Sequence, residues 1–410
     1  IRSENGSTNC IVQAADPSDH VFYITADWVT ISGFTIRGAK DDLKAGIYIS
    51  ANYCNIMDNN VSGNYIGAYL WYSNNNQITN NEISGNKYEG TYGIRLYSSD
   101  NNQIANNEIS ENFGDGIVLY YSNNDQIINN VISGNGEGGI SLDSSENNQI
   151  TDNEISENDW GILLVGSVNN QISSNEISEN YNGIRLDYST NNNITDNYIS
   201  DNPCGIELYE SDNNIITSNI FMNASQWDVY ISYSTCNTFE SNIFNTTEVT
   251  FRYSGEVALK SVANPPTDPA GWKNIGKYLN ITSSSPNTWV FVNFSYSDSD
   301  VAGIDENTLK VWKWNGTAWI EEGWNGTRVL DTQNNIVGVN ITSFSVFAPL
   351  GKRGVRTIYV PDDYPTIQQA VDNASDGDTI IVRDGVYVEN IDINKSLMIK
   401  SENGSASCII

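Results

Sequence analysis

The sequence predicts an all-β protein. It would hold a right-handed parallel β-helix with three strands per rung, an antiparallel Ig-like β-sandwich, and a short capping helix near 365–374. Three observations carry this. One sentence is repeated through residues 46 to 244, as in GISLDSSENNQITDNEISEN from Gly139, GILLVGSVNNQISSNEISEN from Gly161 and GIRLDYSTNNNITDNYISDN from Gly183. The glycines that open the copies (Gly46, Gly67, Gly93, Gly116, Gly139, Gly161, Gly183, Gly205) settle to a spacing of 22, which marks a stacked repeat. Within each copy apolar residues alternate with polar ones in three short runs, with Asn, Asp, Ser and Gly between them.

That alternation places the repeating residues. Ile78, Ile104, Ile127, Ile150, Ile172, Ile194 and Ile216 form one inward column that Phe239 closes, and Leu70 through Leu208 form a second. Asn81, Asn107, Asn130, Asn153, Asn175, Asn197, Asn219 and Asn242 form a third at a turn, where stacked amides bond to one another and to backbone. A ligand ladder is the other reading of so much Asn, but Asn tolerates left-handed turns and turn satisfaction suffices. Ile150→Asp is expected to disrupt the stack, and Ser141→Ala to be tolerated.

Residues 1 to 45 continue the pattern, with Val29, Ile31, Phe34 and Ile36 inward, so the first domain is 1–248. Residues 249–352 lose the period. They carry Trp272, Trp289, Trp312, Trp314, Trp319 and Trp324, and Asn315–Gly316 between Trp314 and Trp319 is a hairpin signal. This is the sandwich. Residues 353–410 restart the β-helix. IKSENGSASCII from 399 matches IRSENGSTNCIV from 1 position by position, an offset of 398. Ahead of it Ile367, Ala370, Val371 and Ala374 share one face of a helix that would cap the open end. The stretch therefore reads as the equivalent of what precedes residue 1. The chain does not begin with Met, so its natural N-terminus is expected to lie further upstream.

With 50 Asp and Glu against 20 Lys and Arg, the net charge of −30 argues against nucleic acid and anionic membranes as partners. A single histidine, His20, leaves zinc, haem or Ser-His chemistry little to work with. No signal peptide or membrane span is visible. Cys10, Cys54, Cys204, Cys236 and Cys408 are too widely spaced to define disulfides, and buried thiols are the simpler reading. Thirteen asparagines precede x-Ser/Thr: Asn5, Asn60, Asn193, Asn223, Asn245, Asn280, Asn293, Asn315, Asn325, Asn340, Asn373, Asn394 and Asn403. They suggest an exported, glycosylated surface. Asp298, Asp300, Asp305 and Glu306 are weak candidates for a structural Ca2+; their spacing is not an EF-hand loop, and no other cofactor or metal is expected.

The copies, written GIxLxxSxxNxIxxNxISxN, and the stretch TIQQAVDNASDGDTIIVRDGVYVENIDINKSLMIKSENG resemble NosD-like β-helices of the carbohydrate-binding and sugar-hydrolase (CASH, PbH1-repeat) class. GWKNIGKYLNIT, VAGIDENTLKVWKWNGTAW and NITSFSVFAPL are similar to the β-sandwich that follows such helices in surface proteins of methanogenic archaea. The resemblance implies a cell-surface, extracellular setting but not an activity, since one fold hosts many functions.

Three functions fit these features. The first is a structural protein, one period of a head-to-tail or tandem-repeat surface filament, sheath or S-layer-like assembly, whose partner is itself, with lateral copies or cell-surface glycans beside it. The second is a glycan-binding adhesin using an outward face of Tyr48, Tyr69, Trp71, Tyr97, Tyr120, Tyr209 and Tyr230, which equally suits a protein contact. The third is a polysaccharide lyase or hydrolase. Its best set, Asp143, Arg185, Asp187 and Glu207, is interrupted by Val165, so a protein that is not an enzyme, without catalytic residues, is expected.

Overall fold

The computed structural model describes residues 1–87 and 90–410. They group into two compact units, one of residues 1–263, 279–293 and 340–346, the other of 264–278, 294–339 and 347–410.

The first unit is a parallel β-helix. One rung consists of the strands Gly138–Asp143, Gln149–Thr151 and Glu154–Ser156, and the next of Trp160–Val165, Gln171–Ser173 and Glu176–Ser178. Each strand pairs in parallel with its successor, so Ile150 faces Ile172 and Leu142 faces Leu164. Both inward columns are buried along their length, each side chain supplying about 1.5–3 kcal/mol of hydrophobic stabilisation. Most rungs advance by 22 or 23 residues, but Ile56 follows Ile31 by 25 and Ile104 follows Ile78 by 26, the latter matching the 26 residues between Gly67 and Gly93. Ile31, Phe34 and Ile36 are buried as expected, and Val29 only half so.

Strands this short leave the backbone turning four times per rung. In one rung the turns fall at Tyr188, Asn191, Asp196 and Asp201, with φ of 51°, 58°, 57° and 57°. The next residue at each turn is a buried polar one: Ser189, Asn192, Asn197 and Asn202. The left-handed residue aims this side chain inward beneath the strand, where it satisfies donors that the sheet ladder misses. The Asn153 N–H and Nδ2 both donate to Asn175 Oδ1, at 3.0 and 2.9 Å, and Nδ2 reaches Ile127 O at 2.9 Å. Ser189 N–H donates to Ser211 Oγ at 2.9 Å. The expected Asn column is therefore one of three, and a serine ladder makes the fourth.

At the repeating glycine the chain passes too close to its neighbour for a side chain. A Cβ on Gly161 would lie 2.5 Å from Gly183 O and 2.6 Å from Ile177 Cγ2. The parallel order stops where phenylalanine replaces isoleucine. Phe239 stacks on Phe251 at 4.4 Å, Thr238–Phe244 pairs antiparallel with Thr247–Ser254, and Trp227–Ser232 pairs antiparallel with Val257–Ser261.

In the second unit Ile304–Trp314 pairs antiparallel with residues 347–353, and Trp314 faces Trp319 across a hairpin at Asn315–Gly316. Residues 354 onward return to parallel pairing, Thr357–Val360 with Thr379–Val382 and that with Met398–Ser401. The helix Ile367–Asn373 buries Ile367, Ala370 and Val371 against Ile358, Val360, Ile380 and Val382. Its first turn is satisfied twice over. Thr366 accepts the Gln369 N–H, and Glu389 accepts those of Ile367 and Gln368 at 2.9 Å each.

Candidate functional site

Within each rung from Gly67 to Gly161 the strand at the repeating glycine is longer than the other two, and its outward positions gather the rings. Cross-rung register sets Tyr23 beside Tyr48, Tyr48 beside Tyr69 and Tyr69 beside Arg95; Trp71 lies beside Tyr97, and Tyr97 beside Tyr120. Rungs about 4.8 Å apart are at the spacing of stacked rings. Trp71 and Tyr97 accordingly lie 4.5 Å apart at 11°, while Tyr48 and Tyr69 meet edge-on at 5.3 Å.

This packing corrects the expectation of an open row of rings. Tyr69 is only 2% exposed, because Tyr48, Trp71 and Arg95 close over it, and desolvation pushes its hydroxyl up to about 12. Trp71 and Tyr97 each cover one face of the other. Tyr209 and Tyr230 belong elsewhere on the sheet. Tyr209 packs edge-on between Tyr188 and Tyr233, and Tyr230 sits at the antiparallel end opposite Ala258.

What the sequence reading missed is the charge in the cluster. Arg95 lies 5.0 Å from the Tyr69 ring, 5.1 Å from Tyr120 and 5.4 Å from Tyr92, and its Nε is buried without an acceptor. Tyr92 and Tyr120 join their hydroxyls at 3.3 Å. The signal was present, since Arg95 in GIRLY holds the place of Tyr48 in GIYIS and Tyr69 in GAYLW. Beyond Tyr48, His20, Tyr23, Lys44 and Trp71 border a cleft of about 390 Å³. Burial and nearby Lys44 lower the His20 pKa, and its Nδ1 accepts the Ala45 N–H at 3.0 Å. A second unforeseen group lies just ahead of the strand Ile117–Tyr120. Buried Asp115 accepts the Gly138 N–H at 2.8 Å and the Ser141 hydroxyl at 2.6 Å, and burial raises its pKa to about 6. Ser141 is therefore not an idle outward serine, which corrects the expectation that its removal is harmless.

The carboxylates of the third reading are engaged with one another's cation. Arg185 Nε meets Asp187 at 3.0 Å, its NH1 meets Glu207 at 3.4 Å, and Asp143 stands apart with Val165 paired between it and Asp187. The four acidic candidates for calcium take separate protein donors: Asn335 for Asp298, Ser297 N–H for Asp300, Asn307 N–H for Asp305 and the Tyr296 hydroxyl for Glu306. Among the described residues no three of His, Cys, Asp and Glu converge on a metal position. All five cysteines are free; Cys54 and Cys204 are buried, and desolvation raises both thiols. Of the sequon asparagines, Asn5, Asn223, Asn315, Asn373, Asn394 and Asn403 are exposed, whereas Asn193, Asn293 and Asn340 bury their Oδ1.

Residues 19–177 match the family described as right handed beta helix region, and residues 135–262 match the one described as periplasmic copper-binding protein (NosD). The chain thus carries a NosD-like right-handed parallel β-helix. Among the described residues the donors do not fit copper, which draws on His, Cys and Met: His20 is bound to backbone through Nδ1 and the free thiols are dispersed. No curated protein matches the chain. Among solved structures it is similar to a periplasmic alginate epimerase AlgG mutant, at 18% identity over 54% of this chain and 62% of that one, with a TM-score of 0.49. It is also similar to the Dettilon tailspike protein (13% identity, 83% and 87% covered, 0.44) and to DFA-IIIase from Arthrobacter chlorophenolicus A6 (16%, 56% and 70%, 0.48). The chain spans about three-fifths of the epimerase's length, and the likeness is one of fold. The expectation that the chain is not an enzyme is corrected to this extent: the solved structures it is similar to include an epimerase and a DFA-IIIase, at 16–18% identity.

Proposed function

We propose that this chain is an extracellular structural protein whose β-helices recur in tandem or head to tail in a surface filament, sheath or S-layer-like assembly. In this reading residues 249–352 form an Ig-like sandwich between successive helices, and the periplasmic description of the matched family supports an exported setting. One observation carries the reading. The repeated sequences fold alike: Asn9 N–H donates to Gly6 O at 3.3 Å with φ 80° at Gly6, and Ser407 N–H donates to Gly404 O at 3.2 Å with φ 89° at Gly404. The chain thus carries one short sequence twice, 398 residues apart, with the same turn in both. Units related by such a repeat meet heterologously, and contacts of that kind extend without closing. Electron microscopy of the native surface and of the purified protein tests this. Fibres or sheets with an axial repeat of one 398-residue unit are expected, and discrete particles under all conditions would remove the reading.

The cleft at His20 supports glycan binding as a second reading. Its ring walls and single cation suit a sugar, with the exposed Tyr23 ring as the stacking face. Loss of glycan-array binding in Tyr23→Ala is the expected outcome, and an array that stays blank with the natural chain removes it.

A further inference from the structure

Charge is distributed unevenly along this acidic chain. Residues 1–248 carry 7 Lys and Arg against 32 Asp and Glu, whereas residues 249–353 carry nine of each. Three of those nine cations border one cleft of about 430 Å³ in the second unit: Lys310, Arg328 and Lys352, around Trp272. The ammonium groups of Lys310 and Lys352 lie 5.3 and 5.8 Å from the Trp272 ring. Lys310 is paired with Glu321, while neither Lys352 nor Arg328 has an acidic partner among the described residues. An ammonium held over an indole is partly stripped of water and meets an incoming anion at reduced cost.

The complementary surface is on the β-helix. Glu154 and Glu176 lie directly opposite one another on neighbouring strands, and Glu157 and Glu179 occupy the turns that follow, each with φ of 58°. All four are exposed, and none is in an ion pair among the described residues. Like charges opposed across a ladder repel, and a cationic partner relieves the repulsion.

We propose that the Trp272 cleft of one copy takes the carboxylates of Glu154, Glu157, Glu176 and Glu179 of a second copy. This deepens the assembly reading and rests on it, naming the lateral contact. The two patches differ, so each copy offers both and the contact propagates. The bound lysines occupy the indole face that a sugar ring would need, which favours a protein carboxylate over a glycan at this cleft.

Light scattering and sedimentation of the full chain test the contact, from about 0.01 M to about 1 M salt, over which the screening length falls from about 30 Å to about 3 Å. Self-association is expected to weaken at least about tenfold across that range. Lys352→Glu with Arg328→Glu should weaken it similarly at low salt, and mixing that variant with Glu154→Lys/Glu176→Lys should restore it. Both pairs are surface changes, so unaltered circular dichroism is expected. Assemblies that form equally well from the charge-reversed variant overturn this contact and leave the filament reading standing. Absence of assembly in the natural chain overturns both. Binding of polygalacturonate at the cleft, abolished by the double reversal and without self-association, would assign the cleft to an acidic glycan and overturn the contact.

Discussion

Asp125 occupies an asparagine's place directly beside Asn102. Its Oδ1 accepts the Asn102 N–H at 2.6 Å and Nδ2 at 3.1 Å, and its own N–H donates to Asn148 Oδ1 at 2.8 Å. Its Oδ2 has no partner. Elsewhere in the same ladder Asn170 uses the equivalent nitrogen to donate to Asn192 Oδ1 and Ser145 O, at 3.1 and 3.0 Å. Asp125 is thus a buried acceptor where the ladder supplies acceptors, and desolvation raises its pKa well above the usual carboxylate value.

Asp125→Asn is therefore expected to stabilise the β-helix by about 1–3 kcal/mol at neutral pH, the cost of an unsatisfied buried polar group. A raised folded-state pKa means that stability falls as pH rises above the unfolded value of about 3.9. The gain should accordingly shrink below about pH 4, where both states are protonated. Thermal melts of the two proteins at pH 7 and pH 3.5 check it, and a gain independent of pH would contradict the account.

Asp115 gives a second pH signature. Its pKa is about 6 in the fold, raised by burial against the Ser141 and Gly138 hydrogen bonds that oppose the rise. Its contribution is fully present below about pH 3.9 and is lost as pH climbs through about 6, on the order of 3 kcal/mol. Asp115→Asn retains an oxygen for both donors and should flatten the melting temperature between pH 4 and 7.

Two glycines separate space from conformation. Gly161→Ala would drive a Cβ into Gly183 O, which is backbone and cannot yield, at about 3 kcal/mol or more. Gly134 has φ of 62° and nothing within 4 Å of a built Cβ, so Gly134→Ala should cost only about 1–2 kcal/mol. Glu157 and Glu179 already occupy the equivalent turn in later rungs. Urea denaturation should order the variants accordingly.

Ile150→Asp places a carboxylate in a dry column and should abolish the cooperative transition or cost more than about 4 kcal/mol. Ser141→Ala removes one of the two bonds to Asp115 and should cost about 1–3 kcal/mol. Equal melting temperatures for the two would refute the register.

The repeat made the interior legible. In a stacked rung a residue's neighbour is its own counterpart one period away, so Ile150 on Ile172, the asparagine ladder at Asn153 and the glycine column followed from spacing and alternation alone. So did the short helix Ile367–Asn373, whose apolar face is local. What the period could not specify is where the chain departs from itself. Tyr69 is buried because Tyr48, Trp71 and Arg95 close over it, and Asp115 meets Ser141 of the next rung through side chains that the repeat does not prescribe. The Trp272 cleft joins residues from Trp272 to Lys352 that lie far apart in sequence. Repetition transmits identity from rung to rung, so the sequence determined the scaffold; non-repeating side chains meet only once the rungs are stacked, so tertiary structure alone decided the aromatic face and the charged cleft.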